Sequence, residues 1–292
     1  MQNGLAMAGS GGAATGPAAL GPRRFIPFIM VIALALAAVV TAVLSASSPA
    51  SGSTAVRSAL DSVTQAKSVT FALSVNLSGT SAAQASVDGS CATGPACEVT
   101  FSASSGTSSI GQSQLVIDNG VAYVRLAAPL ASHLPTPWVS APLSSSGAQH
   151  ATGISSMVNL SSVLAGLSKV GDTVTDDGVV TLNAAPTHEY TVSASQATEQ
   201  QQVESVLKAL PTTDVSVLGA VTVGGYHVDV YVDPDGNLAE VDLSTSVSTS
   251  SGSESLSLRL ALSNYGQPVS VSVPPANEVT PYSSLKSSFL GL

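Results

Sequence analysis

"SVTFALSVNLSG", residues 68 to 79, is the stretch whose reading decides the fold. Val69, Phe71, Leu73, Val75 and Leu77 alternate with Thr70, Ala72, Ser74 and Asn76. A period of two puts every apolar side chain on one face of an extended strand, so this segment is a β-strand with one covered and one wet face. The same alternation returns along the chain. It appears at "CEVTFSAS" (97–104) and at "SQLVIDNGVAYVRLA" (113–127), where Asn119-Gly120 supplies a tight hairpin turn. "GYHVDVYVDPDGNLAEVDLSTSV" (225–247) places Val228, Val230 and Val232 on one face and turns at Asp233-Pro234-Asp235-Gly236. "ESLSLRLALSNYG" (254–266) places Leu256, Leu258, Leu260 and Leu262 together, with Arg259 opposite, and "PVSVSVPP" (268–275) ends the pattern with Val269, Val271 and Val273. Asp176-Asp177-Gly178 reads as the turn between two further strands, the second containing "THEYTVSA" (187–194).

Three helical stripes interrupt the strands. "STAVRSALDSVTQAK" (53–67) spaces Val56, Ala59, Leu60 and Val63 at helical intervals, with Ser53 or Thr54 as N-cap. "ISSMVNLSSVLAGLSKVG" (154–171) carries Met157, Leu160, Leu164 and Leu167, and "ATEQQQVESVLKALP" (197–211) carries Val203, Val206, Leu207 and Leu210. Roughly ten half-apolar strands and three helices leave two solutions: the sheet closes on itself, or it curls around helices and encloses volume. The expected fold is therefore α+β, a curled antiparallel half-barrel with helices on its concave face. The stripe at 154–168 fits a helix against a cavity and equally one buried in core.

The N-terminal residues read as targeting. Residues 1–24 are a low-complexity segment ending in Arg23-Arg24, and Phe25 to Leu44 contains no charge over 20 residues. A run of about 20 suits a retained signal-anchor helix, and arginines on its N-terminal side place that side in the cytoplasm. Residues 45–52 then form a tether and 53–292 an extracytoplasmic domain. Cleavage near Ala46 or Ala50 would instead secrete it. All 18 acidic residues but only 7 of the 9 basic ones follow residue 44, so that part carries 7 − 18 = −11. Such a charge excludes nucleic acid and basic-patch binding to anionic headgroups. The Ala/Val/Gly-rich, lysine-poor composition suits an actinobacterial genome.

The chemistry-bearing residues are sparse. Cys91 and Cys97 flank Gly94-Pro95, so they either close a hairpin as a disulfide or lie as two small buried thiols. His133, His150, His188 and His227 are scattered without metal-ligand spacing, and His227 shares a polar strand face with Asp229. There is no G-x-S-x-G elbow. Asp233 to Asn237 lacks the glutamate that a calcium loop needs. Catalytic residues, metal and cofactor are accordingly all read as none.

The order of motifs resembles a known family. "VIDNGVAYVRL" (116–126), the strand around Trp138, the Leu-rich helix, "GYHVDVYVDPDGNLAEVDLS" (225–244) and above all "LRLALSNYGQPVSVSVPPANEV" (258–279) resemble the LppX/LprG-type lipoproteins of mycobacteria, within the LolA/LolB-like superfamily. The resemblance spans about residues 53 to 280. It implies a U-shaped half-barrel whose apolar cavity holds acylated lipid, with no catalytic residues. Leu44-Ser45-Ala46 has the outline of the signal preceding a lipidated cysteine, but Ser47 stands where the cysteine would be. The expectation is a non-enzymatic, membrane-anchored envelope protein that binds or carries a lipid; the alternative is a scaffold or sensor contacting envelope proteins. The candidate cavity-lining residues are Phe71, Leu73, Val75, Leu115, Ile117, Val124, Leu126, Met157, Leu160, Leu164, Val228, Val230, Leu258 and Leu260.

Overall fold

A computed structural model describes residues 45–46, 51–79, 82–92, 96–106, 108–128, 130–143, 170–171, 173–193, 222–249 and 252–285. The apolar run at 25–44 and the helical stripes at 154–168 and 197–210, with Met157, Leu160 and Leu164, lie outside the described residues.

Strands alternate as the sequence requires. In chain order they are β1 (Ser45–Ala46), β2 (Ser68–Ser78), β3 (Ala83–Ala92), β4 (Cys97–Ser105), β5 (Ser108–Asp118), β6 (Val121–Arg125), β7 (Trp138–Pro142), β8 (Val170–Gly171), β9 (Thr173–Leu182), β10 (Ala185–Ser193), β11 (Thr222–Val232), β12 (Leu238–Thr249), β13 (Gly252–Ser263) and β14 (Val279–Pro281). One helix, α1 (Ser51–Gln65), precedes β2. Twelve strands form a single large curled sheet that does not close, in the order β14-β7-β6-β5-β4-β3-β2-β13-β12-β11-β10-β9. Its pairings are antiparallel except β14 with β7. Most neighbours are sequential hairpins. The exception at the centre is β2 against β13, which joins Leu73 to Leu260 and Val75 to Leu258 across most of the chain. β1 and β8 make a separate parallel pair, Ser45 opposite Val170 and Ala46 opposite Gly171.

Register carries the alternation from strand to strand. Leu73 lies opposite Val87, Val87 opposite Phe101, Val99 opposite Leu115 and Leu115 opposite Val124. On the other side Leu258 lies opposite Leu243, and Leu243 opposite Val228. A one-residue slip anywhere would turn an entire strand's apolar set outward, so burial of this face pins the register. α1 lies on the same face, where Val56, Ala59, Leu60 and Val63 join the core cluster with Val192, Val228, Val241 and Leu243. Among the described elements, α1 packs on β9, β11 and β12. The helix starts two residues before the expected cap, because Gly52 and Ser53 are buried there, Gly52 close against Val174 and Tyr190.

Two expectations are corrected. Asp176-Asp177-Gly178 does not turn the chain but lies inside β9, where the pairing with β10 shifts between Glu189 and Tyr190. Gly178 takes φ +95°, Asp176 Oδ1 accepts its N–H at 3.0 Å, and Asp177 Oδ2 accepts the Thr191 N–H at 3.0 Å. These carboxylates replace the ladder partners that the bulge removes. The turn itself is Asn183-Ala184, both in the left-handed region at φ 50° and 67°. "PVSVSVPP" likewise is not a strand: residues 267–275 make no ladder pairing. Its three prolines supply no N–H, and the Ser272 N–H goes to Glu98 Oε2 at 3.4 Å.

That C-terminal segment is a strap over the outer face. It leaves mid-sheet at Asn264-Tyr265-Gly266, with the Gly266 N–H on Ser68 O at 2.9 Å and the Ser68 hydroxyl donating to Gln267 O. It ends as β14 on the far edge, beside β7, where the Thr136 and Thr280 hydroxyls share a 2.6 Å hydrogen bond. Pro274 of the strap is buried, and so are Val116 and Trp138, which point outward from β5 and β7. Residues whose alternation says "solvent" are thus covered by chain.

The remaining turns follow their residues. Asn119 and Gly120 take φ 48° and 77°, the primed turn that matches strand twist. Asp233 Oδ1 accepts the Asn237 N–H at 2.7 Å, which makes residues 233–237 a hairpin turn. Cys91 and Cys97 form a disulfide between directly opposed positions of β3 and β4.

Candidate ligand-binding face

Among the described residues, the concave face of the sheet is the surface on which apolar residues continue from strand to strand without interruption. Leu115, Val99, Phe71, Leu73, Val75, Leu260, Leu258, Val241, Val228, Val230 and Val192 belong to one cluster. Its buried polar side chains are satisfied by backbone. The Ser113 hydroxyl accepts the Ala127 N–H at 2.9 Å, and the Thr245 hydroxyl donates to Gly224 O at 3.0 Å. Charged side chains of the same register stand at its margins: Asp176 and His188 on the edge pair, 3.8 Å apart, and Glu254 near a strand end. Burial raises the Tyr190 hydroxyl above its usual range, with Asp176 adding to the shift.

The face has two parts. Opposite α1, the side chains are sealed: Val192, Val228, Val230 and Val241 have no exposed surface. Along β3, β4, β6 and β7 the same face retains partly accessible side chains, namely Val87, Phe101, Ala103, Val124 and Val139, with Leu77 at the end of β2. Gly89 lies on β3, within the second part. A Cβ there would lie 2.9 Å from Phe71 Cζ and 2.8 Å from Glu98 O, so the absent side chain is what lets the Phe71 ring lie across β3.

The sequence-chosen candidates fall on this map as follows. Phe71, Leu73, Val75, Leu115, Ile117, Val228, Val230, Leu258 and Leu260 are all on the concave face and all buried in the core cluster. Val124 is partly buried against that cluster, and Leu126 is half-buried just past the end of β6. Alternation places them on one face, but it cannot separate a sealed position from a partly exposed one. Val87, Phe101 and Val139 share this face but are not among the candidates, because β3, β4 and β7 are rich in serine and alanine, which dilutes their apolar signal.

The outer face is chemically different. Glu240, 2% exposed, accepts two hydrogen bonds from Arg259, Nε at 2.7 Å and Nη2 at 2.5 Å. Arg259 also lies 3.4 Å from Asp242. Asp242 stands directly opposite Asp229 on the neighbouring strand. Its carboxyl is pushed up to about 6, chiefly by burial and by the Glu240 charge, with Arg259 opposing. The Tyr231 hydroxyl donates to Glu189 at 3.0 Å, and burial together with that contact raises it further. His227 Nε2 lies 2.9 Å from Asp229. Arg259 is therefore held by carboxylates on the convex side. No three His, Cys, Asp or Glu side chains among the described residues converge to hold a metal ion.

No protein-family model matches this sequence, and no curated protein is significantly similar to it. Among solved structures, the chain is similar to LprF from Mycobacterium bovis at 14% identity, covering 76% of this chain and 96% of that one, with a TM-score of 0.46. It is similar to the Mycobacterium tuberculosis lipoprotein LppX at 15% identity, covering 77% and 100%, with a TM-score of 0.42. A LolA superfamily protein from Nitrosomonas europaea is similar at 8% identity, covering 76% and 96%, with a TM-score of 0.21.

Proposed function

We propose that this chain is a non-enzymatic, membrane-anchored extracytoplasmic protein whose concave face binds a lipid or another long apolar molecule. The observation that carries the reading is the uneven closure of that face. α1 seals the β9–β12 part, while Val87, Phe101, Val124 and Val139 keep accessible apolar surface on the other. Apolar area removed from water contributes about 25 cal/mol per Å², and an acyl chain contacting such a surface gains affinity without a demand for particular polar partners. Selectivity would follow from length and width more than from headgroup chemistry.

The outward-facing His227–Asp229 and Tyr231–Glu189 pairs take no part in this reading, since they sit on the opposite side of the sheet. Anchoring is assigned to the 20-residue uncharged run at 25–44, which replaces the lipid that Ser47 cannot carry. The test is occupancy. Residues 45–292, which keep β1, are purified from the native host, extracted with organic solvent and assayed by mass spectrometry. Near-stoichiometric acyl lipid is expected. A ligand-free protein that takes up no added acyl lipid contradicts the reading and leaves a protein-contacting envelope domain in its place.

A further inference from the structure

Four carboxylates stand around one guanidinium on the convex side of β10 to β13. Asp229 lies directly opposite Asp242, and Asp242 directly opposite Arg259, while Glu189, Tyr231 and Glu240 form the next row. Three of the four carboxylates have donors of their own. The Tyr231 hydroxyl donates to Glu189 at 3.0 Å. The Thr191 hydroxyl donates to Asp229 at 3.2 Å, and His227 Nε2 lies 2.9 Å from it. Arg259 gives its Nε and Nη2 hydrogens to Glu240. Asp242 is left with the Arg259 Nε at 3.4 Å, whose hydrogen is already donated to Glu240. Among the described residues no other donor reaches its carboxyl.

A proton resolves this imbalance. A protonated carboxyl is itself a donor, and Glu240, two residues away on the same strand face, accepts it. Burial and the Glu240 charge push the Asp242 carboxyl up to about 6 against the pull of Arg259, with Asp229 adding to the rise. The surrounding strands bring no further cation. Asp177 on β9 accepts the Thr191 N–H, and the residue opposite Arg259 on β2 is Ser74. Once Asp242 is ionised, it and Asp229 are like charges at opposed positions, which weakens a strand pair.

The strand that carries Asp242 also carries part of the seat of α1. Val241 and Leu243 flank Asp242 on the concave side, buried in one cluster with Val56, Ala59, Leu60 and Val63 of the helix. α1 packs on β11 and β12, the two strands that the opposed aspartates join. Side chains alternate along a strand, so a shift of β12 that separates Asp242 from Asp229 displaces Val241 and Leu243 with it. We propose that the convex cluster is a pH-sensitive clasp: the proton that Asp242 donates to Glu240 holds β11, β12 and β13 together, and its loss loosens them and the seat of α1. The clasp is independent of what the concave face binds.

The test is hydrogen exchange of the full chain in detergent, read by mass spectrometry at pH 5 and pH 7.5 with times scaled for the intrinsic amide rate. Protection of α1 and β12 peptides in the wild type is expected to fall at least about five-fold between the two. Linkage alone gives about ten-fold, reduced here because the Asp242 side chain is 34% exposed. Asp242→Asn should keep the same protection at both values, since its amide donates to Glu240 at either. Asp88→Asn, on the convex side of β3 outside the cluster, should behave as the wild type. Unchanged protection in the wild type, an equal fall in Asp242→Asn, or a fall in β12 without one in α1 overturns the inference. Carboxyl-carbon NMR of the wild type gives a second reading that needs no variant. An Asp242 side chain titrating near 6 supports the clasp, and one titrating near 3.8, the value of a solvated aspartate, overturns it.

Discussion

The two faces of one sheet make the instructive comparison. Successive residues of a single strand, Val241 and Asp242 or Leu258 and Arg259, belong to environments that share a backbone and almost nothing else. The concave face achieves closure by area, with Val228, Val230, Val241 and Leu258 all at 2% exposure or less. The convex face achieves order by pairing, in a network from Glu240 through Arg259 to Asp242. The apolar face tolerates exchange of one hydrocarbon for another, so a ligand can substitute for protein there. The polar face does not, because each buried acceptor needs its own donor.

The comparison is broken most severely on the concave side. Leu260→Ala, at 3% exposure between Leu73 and Val241, should lower stability by about 3 kcal/mol, read as the denaturant midpoint at unchanged slope. Ser257→Ala, on the outer side of the same strand, should change it by less than about 0.5 kcal/mol. On the convex side, Arg259→Leu leaves Glu240 buried without its donors. Because the Arg259 side chain is itself 55% exposed, screening reduces the expected loss to about 2 kcal/mol. Adding Glu240→Leu should restore most of it, and a double-mutant cycle without coupling would remove the pair from the account. Opening the disulfide closes the series of large effects. Its ends are six residues apart, and Cys91→Ala with Cys97→Ala should cost about 2 kcal/mol in reversible unfolding.

A separate effect concerns pH. Asp242 is pushed up to about 6 in the folded chain, against 3.8 for a fully solvated aspartate. The folded state therefore holds more protons than the unfolded one between those values. This group's stabilising contribution is complete below the unfolded value and is lost as pH rises through about 6. Asp242→Asn should flatten that part of the stability profile, measured by thermal unfolding between pH 4 and 8. An unchanged slope would mean that the carboxyl is ordinary.

How much of this was legible in the sequence depends on the range of each interaction. Alternation in "SVTFALSVNLSG" and "ESLSLRLALS" specifies strand, face and core together, because all three follow from one local period. Asn119-Gly120 and Asp233–Gly236 announce their turns by residues that tolerate them. Asp176-Asp177-Gly178 carries the same turn chemistry and misleads, since a bulge uses glycine and carboxylates for the same local reason. The strap was illegible for a different cause. Val269, Val271 and Val273 alternate like a strand, and only the distant contacts of Ser68 with Gln267 and of Glu98 with Ser272 show that the segment lies across the sheet. The partner of Arg259 was hidden likewise, because Glu240 becomes its neighbour only through the β12–β13 pairing. For the candidate site, alternation places the residues on one apolar face, whereas the partly exposed positions Val87 and Phe101 lie on strands away from those that α1 packs on.

Neighbouring residues on opposite faces offer the most direct test of the central claim. Val87 faces the concave side of β3 and Ser86 the convex side, where it shares a 2.8 Å hydrogen bond with Ser102. Purified chain is titrated with a fluorescent long-chain acyl probe as wild type, as Val87→Asp and as Ser86→Asp, with Phe101→Ser as a second concave-side variant and circular dichroism to establish that each is folded. The account predicts one saturable site, weakened at least about ten-fold by either concave-side substitution, equivalent to about 1.4 kcal/mol, and unchanged by Ser86→Asp. Equal binding by Val87→Asp and wild type, or the absence of a saturable site in the wild type, would contradict it.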